Sequence, residues 1–276
     1  MGARLGMPPP AWGRIGPALS RMLAGLMLLA VMLVPSGRAK AQEHDLPVDL
    51  ELVLLVDVSG SVDRQEAELQ RKGYADALTS PQVLDAIRSG SLGRIAVTYI
   101  EWADDGFQNQ VVGWMLVEDE RSARDVAARL AEAPISTAFW TSIGAAIDHG
   151  AAQFAANRFE GTRRVIDISG DGYSNRGRPP GEARDAALAQ GITINGLPIL
   201  NSRPNPWGGL PPLDLDAYFQ DHVIGGPGAF ILVAEDFSTF GQAILSKLVK
   251  EIAGTPTADP SLRHARLDPA RSHQRP

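Results

Sequence analysis

The sequence predicts an α/β domain of three layers, in which helices cover both faces of a mostly parallel sheet. Segments with strand-like and helix-like patterns alternate over residues 49–254, and no linker in this range is long enough to separate two domains. The first strand-like segment contains a fully apolar run at residues 52–56, as expected of a parallel strand that is buried on both faces. The run ends abruptly at Asp57, and α/β sheets bind ligands where their strands end.

Each element is predicted by its own local signal. Asp63 is followed three residues later by Glu66, a pattern typical of a capping box, so the first helix is expected over residues 64–78. The polar link at residues 104–109 is short enough for an antiparallel hairpin. Apolar spacing predicts the remaining elements in this order: strands at 50–56, 94–100 and 110–116, helices around 123–130 and 143–154, a strand at 164–169, a helix at 182–190, strands at 192–197 and 230–234, and a closing helix around 237–252.

The first 41 residues have the pattern of a cleaved secretory signal. Basic residues precede an apolar block of 13 residues at 22–34, and the small residues Ala39 and Ala41 follow it. A membrane-spanning helix needs about 20 apolar residues, so an uncleaved anchor is the weaker alternative. A translation start at Met7 is also consistent with the sequence. We therefore expect residues 1–41 to be removed on export.

Two later stretches lack the spacing of regular structure. Residues 201–212 are rich in proline and glycine, which predicts a surface loop. Residues 255–276 have no apolar period and are expected to form a disordered tail. The predicted organisation is therefore a signal peptide at 1–41, a folded domain at 49–254 and a tail at 255–276.

The composition excludes several classes of function. The chain contains no cysteine, which excludes disulfides, a thiol nucleophile, cysteine-ligated zinc and lipid attachment at an N-terminal cysteine. Without residues 1–41, 21 basic residues remain against 32 acidic ones, a net charge of −11. Such a charge disfavours binding to nucleic acid or to an anionic membrane, because both require a basic face. Together with the signal, these features predict a periplasmic or secreted protein without a stable membrane anchor.

Three oxygen-bearing side chains follow the first strand at every second position. Asp57, Ser59 and Ser61 occupy positions i, i+2 and i+4 of the loop. Two hydroxyls and one carboxylate directed into a single crevice are hard oxygen ligands, so this pattern predicts binding of a hard divalent cation. Taken alone the D-x-S-x-S pattern is weak, since serine and aspartate are common in loops. Its position directly after a buried strand strengthens it.

This first motif resembles the metal-ion-dependent adhesion site of the von Willebrand factor A family. That family has a threonine in a later loop, and Thr141, with a helix starting behind it, is similar to this second motif. The family's third motif, a strand followed by Asp-Gly, is similar to residues 165–172, where Asp171 precedes Gly172. The motifs occur in the family's order, and the resemblance covers about residues 50–254. It implies a three-layer, Rossmann-like fold with one antiparallel edge strand.

The resemblance also implies a set of metal ligands and a kind of partner. Ser59, Ser61 and Thr141 would supply hydroxyl oxygens, and Asp57 and Asp171 would act directly or through water. The implied cation is Mg²⁺, with Mn²⁺ and Ca²⁺ as alternatives. Neutral hydroxyls leave the charge of the cation only partly balanced, so it keeps affinity for a carboxylate of a partner protein. The expected function is therefore protein binding without enzymatic activity.

Several assignments close to these motifs stay open at the level of sequence. Ser136 and Thr137 compete with Thr141 for the role of ligand. Asp167 lies inside an otherwise apolar strand, where an unpaired carboxylate is costly. It is expected to be hydrogen-bonded beneath the site or to face a helix N-terminus, and the alternative is that it ligates the metal. The candidate rim residues are Glu101, Trp102, Asp104, Trp140, Tyr173, Ser174 and Asn175.

Two other classes of function compete with a binding module. A metal-dependent phosphatase-like hydrolase could use Asp57 as its nucleophile, but such enzymes need a second aspartate two positions later, where this chain has Ser59. The sequence contains no Gly-x-Ser-x-Gly motif, no P-loop and no His-x-x-x-His spacing. A small-molecule binding protein could use the same crevice without metal. Such proteins normally have two lobes, and this chain has room for one domain.

Overall fold

A sheet of five strands lies at the centre of the described part of the chain, which comprises residues 45–201, 204 and 208–254 in this computed structural model. The predicted signal peptide at 1–41 and the predicted tail at 255–276 lie outside the described residues. None of the helices in the described part combines the length and the hydropathy needed to cross a membrane.

Strands and helices alternate along the chain much as the sequence predicts. The strands are β1 (Leu46–Val48), β2 (Leu50–Asp57), β3 (Ile95–Trp102), β4 (Gln108–Val117), β5 (Phe159–Gly161), β6 (Arg164–Gly170) and β7 (Thr193–Pro198). The helices are α1 (Arg64–Leu78), α2 (Pro81–Arg88), α3 (Glu120–Glu132), α4 (Ile143–Gln153), α5 (Pro180–Leu188), α6 (Leu215–Tyr218), which continues into a π-helical turn (Phe219–Val223), and α7 (Phe240–Ala253).

The central sheet has the strand order β4-β3-β2-β6-β7. The pairs β2–β3, β2–β6 and β6–β7 are parallel, and β3–β4 is antiparallel. All residues of β2 and β3 are buried, whereas most residues of β4 are only partly buried, as expected of an edge strand. The predicted mostly parallel sheet with one antiparallel edge strand is therefore confirmed.

Side chains of β2 point alternately into two hydrophobic cores, one on each face of the sheet. Leu52 and Leu54 belong to the core that packs under α1, α2, α3 and α7. Val53 and Leu55 belong to the core that packs under α4 and α5. Because a strand buried on both faces needs a layer of helices on each side, these two cores establish the predicted three-layer arrangement.

The capping box at the start of α1 is present as predicted. The Asp63 carboxylate accepts a hydrogen bond from the Glu66 amide at 2.8 Å, and the Glu66 carboxylate accepts one from the Asp63 amide at 2.9 Å. These two bonds satisfy backbone donors that a helix start would otherwise leave unpaired. They also fix the direction in which the chain leaves the loop after β2.

The strand predicted at 230–234 is wrong, because this segment forms only isolated bridges to β7. Gly196 donates to the Phe230 carbonyl and accepts from Leu232 at 3.1 Å each, and Ala234 donates to the Pro198 carbonyl at 3.0 Å. A continuous parallel ladder would need an N–H at Pro198, and proline has none. The pairing is interrupted at that residue.

Some short elements carry no clear sequence signal. Strands β1 and β5 contain three residues each and pair with one another in a separate two-stranded sheet. Helix α2 has a signal that the sequence analysis did not use, since Ser80 caps it and Pro81 occupies its first turn. The described residues of the predicted loop at 201–212 are irregular, as expected, and α6 follows them.

Candidate metal site at the carboxyl end of the sheet

The predicted motifs meet where β2 and β6 end side by side. Asp57 is the last residue of β2, and Ser59 and Ser61 lie in the loop between β2 and α1. Asp171 directly follows β6, and Thr141 precedes α4. Neighbouring parallel strands present their carboxyl ends at the same edge of a sheet, which brings the first and third motifs together.

A continuous chain of hydrogen bonds joins these five residues. The Thr141 hydroxyl donates to Ser59 Oγ at 3.1 Å, and the hydroxyls of Ser59 and Ser61 lie 3.2 Å apart. Ser61 Oγ donates to Asp171 Oδ1 at 2.5 Å, and the Ser59 amide donates to Asp57 Oδ1 at 2.7 Å. The structure therefore brings all five predicted site residues together, and we call them the site cluster.

Thr141, rather than Ser136 or Thr137, contributes the hydroxyl of the second motif. Its side chain reaches Ser59 directly, whereas Thr137 lines a separate cleft beside Gly60 and Val62. The Thr141 loop is held by the segment after Asp171. Asn175 exchanges two hydrogen bonds with the backbone of Thr141, at 3.0 and 2.9 Å.

One buried carboxylate of the site cluster has an oxygen without a hydrogen-bond partner in the described part of the chain. Asp57 is completely buried and Asp171 is 5% exposed. Asp57 Oδ2 has no hydrogen-bond partner among the described residues, and a buried polar atom without a partner is rare in folded proteins. Gly170 leaves space beside this atom, because a Cβ there would lie 3.0 Å from Asp57 Oδ2.

The two carboxyl groups of the site cluster resist ionisation in the protein alone. Burial, with the negative charge of Asp171, raises the pKa of Asp57 to about 8, and burial raises the pKa of Asp171 to about 6. A nearby divalent cation would favour the ionised form of both groups. The unpartnered oxygen, the raised pKa values and the row of hydroxyls all fit a cation that the protein binds from solution.

The chemistry of the donors limits which cation fits. Every side-chain donor of the site cluster is an oxygen. The described residues contain no group of three or more His, Cys, Asp or Glu side chains placed to hold a metal ion, and the site cluster itself has only two carboxylates. Oxygen donors without nitrogen or sulfur favour Mg²⁺, Mn²⁺ and Ca²⁺. Hydroxyls would therefore have to supply much of the coordination.

Two residues that support the site were not identified in that role from the sequence, namely Gln70 and Gly144. The Gln70 amide donates to the Asp57 carbonyl at 2.9 Å and fixes the end of β2. In the sequence, Gln70 could have been noticed as a polar residue on the face of α1 that packs against the sheet. A Cβ at Gly144 would lie 2.2 Å from the Arg178 carbonyl oxygen, so this glycine permits the segment after Asp171 to pack against α4.

Asp167 is paired with a buried lysine beneath the site and does not join the site cluster. Lys247 Nζ contacts Asp167 Oδ1 and lies 2.6 Å from Glu251 Oε1, and all three residues are buried. Burial and the negative charge of Glu251 raise the pKa of Asp167 to about 7. We call Asp167, Lys247 and Glu251 the lysine cluster. Through Lys247 it connects helix α7 to strand β6 of the sheet.

Three of the predicted rim residues are not part of the rim. Glu101 is buried and accepts two hydrogen bonds from Arg71, at 2.6 and 2.9 Å. Trp102 is completely buried, because its strand is covered on both faces. Asp104 accepts from the Gly106 amide at 2.8 Å and shapes the hairpin turn. The strand was expected to end at residue 100 but extends to Trp102, so Glu101 and Trp102 lie within the buried sheet instead of emerging from it.

An open cleft of about 440 Å³ lies directly above the site cluster. Ser61, Thr141 and Asp171 form part of its wall, together with the predicted rim residues Trp140 and Tyr173. The site cluster is therefore accessible to a group that approaches from solution, although Asp57 itself lies below the cleft surface.

The comparison with protein families matches most of the chain to one family. The model of the family described as "Protein of unknown function (DUF1194)" matches residues 47–256. No curated protein matches the chain at a significant level.

Solved structures with the same fold are distant in sequence. Proximal thread matrix protein 1 from the mussel byssus superposes with a TM-score of 0.54 at 14% identity, over 76% of this chain and 48% of that chain. BatB from Bacteroides thetaiotaomicron gives a TM-score of 0.51 at 19% identity, over 75% of this chain and 100% of that chain. The pilus adhesin SpaC from Lactobacillus rhamnosus GG gives a TM-score of 0.51 at 16% identity, over 75% of this chain and 30% of that chain.

These similarities establish the fold, which is that of von Willebrand factor A domains. The chain spans about half the length of the mussel protein. Another structure of that mussel protein is described as having a zinc-occupied MIDAS motif, where MIDAS denotes the metal-ion-dependent adhesion site.

Proposed function

From the premise that the chain belongs to the DUF1194 family and has the von Willebrand factor A fold, we propose that it is an exported protein-binding module. Its site cluster holds a divalent cation, which binds a carboxylate of a partner protein. The mussel matrix protein and the pilus adhesin with the same fold support binding rather than catalysis.

The observation that carries this proposal is the site cluster itself. Ser59, Ser61 and Thr141 hold the cation through their hydroxyls, and Asp57 and Asp171 hold it directly or through water. The bound cation supplies a positive charge with affinity for one further anionic oxygen. Mg²⁺ is the proposed ion, with Mn²⁺ and Ca²⁺ as alternatives, because all the donors are oxygens. The zinc-occupied motif of the mussel protein supports a divalent ion at such a site.

The hydrolase alternative is less well supported than a binding module. Asp57 is completely buried, one of its oxygens accepts from the Ser59 amide, and the residue lies below the cleft surface. A nucleophile must reach its substrate and needs an acid or base beside it. Ser59, which stands two positions later, cannot supply a carboxyl group.

Calorimetric titration tests the metal site. The protein, stripped with a chelator, is titrated with Mg²⁺, Mn²⁺ and Ca²⁺ beside the Ser59→Ala/Ser61→Ala variant. We expect one binding site in the parent, weakened roughly 10-fold or more in the variant, because two oxygen ligands are lost. Ser89→Ala/Ser246→Ala is the matched control, since both hydroxyls donate only to backbone carbonyls of their own helix region. Equal cation affinity in parent and site variant would refute the assignment.

A further inference from the structure

Exposed apolar side chains gather at one end of the described structure. Most of the large hydrophobic residues that are exposed lie around the site cluster, and the two others, Leu69 and Leu92, lie in α1 and before β3. Those at the site are Phe139, Trp140, Tyr173, Leu210 and Leu213. We call these five residues the apolar collar.

The apolar collar is continuous with the proposed metal site. Four of its members line the same 440 Å³ cleft as Ser61, Thr141 and Asp171. The fifth, Leu213, directly follows Pro212, which also lines the cleft. A group that binds at the site cluster is therefore bordered by aromatic and aliphatic surface.

Two aromatic members of the collar, Trp140 and Tyr173, are held in position by local contacts. The Arg176 guanidinium lies 5.8 Å from the centre of the Trp140 ring and pairs with Asp105 at 2.7 Å. The Tyr173 hydroxyl contacts Asp214, and the ring lies 4.7 Å from that of Tyr218. Side chains that are ordered before binding lose less entropy when a partner covers them.

Resting on the proposed function, we propose that the partner presents a carboxylate with a bulky apolar or aromatic side chain within two residues of it. The carboxylate binds the cation, and the neighbouring side chain packs into the cleft against the collar. Central aromatic contacts beside a polar anchor carry most of the affinity in protein interfaces. The collar thereby makes the site selective among acidic sequences.

The exposure of the collar favours a protein segment over a small molecule. Phe139 is 69% exposed, Leu210 83% and Leu213 99%. A small carboxylic acid that fills the cleft would leave these three side chains in water. A protein surface would cover them, and contiguous exposed apolar side chains are one mark of a protein interaction site.

A displayed library of random peptides tests this selectivity without assuming a sequence. The full mature chain is immobilised and panned in parallel in Mg²⁺ and in chelator. We expect the peptides retained only in Mg²⁺ to contain Asp or Glu with Phe, Trp, Tyr or Leu within two positions. The affinity of a selected peptide is then measured for the parent and for variants of the collar.

Phe139→Ser/Leu210→Ser is the informative variant, because both side chains are more than half exposed and neither belongs to the site cluster. We expect roughly a 10-fold or greater loss of peptide affinity, with Mg²⁺ affinity within about twofold of the parent. Leu92→Ser makes the same chemical change at an exposed residue before β3, at the opposite end of the strand, and should leave both affinities unchanged. Leu213→Ser provides a second, independent probe of the collar.

The outcomes separate this inference from the proposed function. Acidic peptides selected in Mg²⁺ without apolar neighbours, or equal binding by the Phe139→Ser/Leu210→Ser variant, overturn the inference and leave the metal-dependent site intact. Retained Mg²⁺ binding with no selection of acidic peptides overturns both the inference and the proposed partner. Loss of peptide affinity in the collar variants, with Mg²⁺ affinity preserved, supports the inference.

Discussion

The molecule contains two buried groups of acidic side chains, one at the carboxyl end of the sheet and one between strand β6 and helix α7. They differ in where a compensating positive charge comes from. The lysine cluster contains its own cation, because Lys247 of α7 reaches both Asp167 and Glu251. The site cluster contains two carboxyl groups and three hydroxyls but no positively charged side chain. A buried carboxyl group needs either a proton or a compensating positive charge. Lys247 supplies that charge within the lysine cluster, whereas we propose that the site cluster takes it from a cation in solution.

Removing the internal cation should have the largest effect on stability. Lys247→Met leaves Asp167 and Glu251 buried without a counter-charge, and we expect a loss of about 3–5 kcal/mol in the free energy of unfolding. Chemical denaturation measures this loss. Lys250→Met is the matched control, because its ammonium is exposed and lies 3.8 Å from the centre of the Phe230 ring, a contact worth about 0.5–1 kcal/mol. Equal costs for the two variants would remove the distinction between the clusters.

Adding the external cation should stabilise the parent and not a site variant. At 100 times its dissociation constant, Mg²⁺ should raise the free energy of unfolding by about 2.7 kcal/mol. Asp171→Asn should abolish this gain, because the variant loses a carboxylate of the site cluster, while its metal-free fold should persist. Thermal unfolding with Mg²⁺ and with chelator measures both. The same gain in Asp171→Asn and in the parent would place the cation elsewhere.

A glycine that permits close packing offers a smaller, local perturbation of the site. Gly144→Ala places a Cβ 2.2 Å from the Arg178 carbonyl oxygen, and we expect a destabilisation of about 1–3 kcal/mol. Mg²⁺ binding should also weaken, because the segment that contains Arg178 must shift and Asn175 of that segment holds Thr141. Gly172→Ala is the control beside Asp171, since nothing lies within 4 Å of the added Cβ. Denaturation and calorimetry should show an effect at Gly144 alone.

The pH dependence of stability should be smaller when Asp167 is replaced. The raised pKa of Asp167, about 7 against an ordinary 3.8, means that the folded state retains a proton that the unfolded state releases. Its contribution to stability is complete below pH 4 and declines as the pH rises towards 7. Asp167→Asn should therefore lose less stability than the parent between pH 5 and pH 7. The exposed Asp125→Asn variant should follow the parent, and a parallel decline in Asp167→Asn would contradict this assignment.

The two clusters also show what the sequence could reveal. The site cluster was predictable because its residues follow strand ends, where local patterns mark both the strand and the loop. The partner of Asp167 was not predictable, since Lys247 lies 80 residues later on α7 and its burial depends on tertiary packing. Likewise, the buried Glu101 gave no sign of its pairing with Arg71.

The elements of the fold were likewise predictable where their cause is local in the sequence, and not where it is distant. The buried strands and the capping box at Asp63 were predictable, because their signals are contained in neighbouring residues. The strand predicted at 230–234 failed because of Pro198 on the neighbouring strand β7, which removes a donor from the shared ladder. A pattern within one segment cannot reveal a missing hydrogen bond in another.

Crystals soaked in Mn²⁺ and measured for anomalous scattering provide the most direct test of the contrast between the two clusters. We predict a peak beside the hydroxyls of Ser59, Ser61 and Thr141 and the carboxylates of Asp57 and Asp171. No peak should occur at Asp167 and Glu251, where Lys247 already supplies the positive charge. The absence of a peak at the site cluster, or a peak in the lysine cluster, would contradict the account.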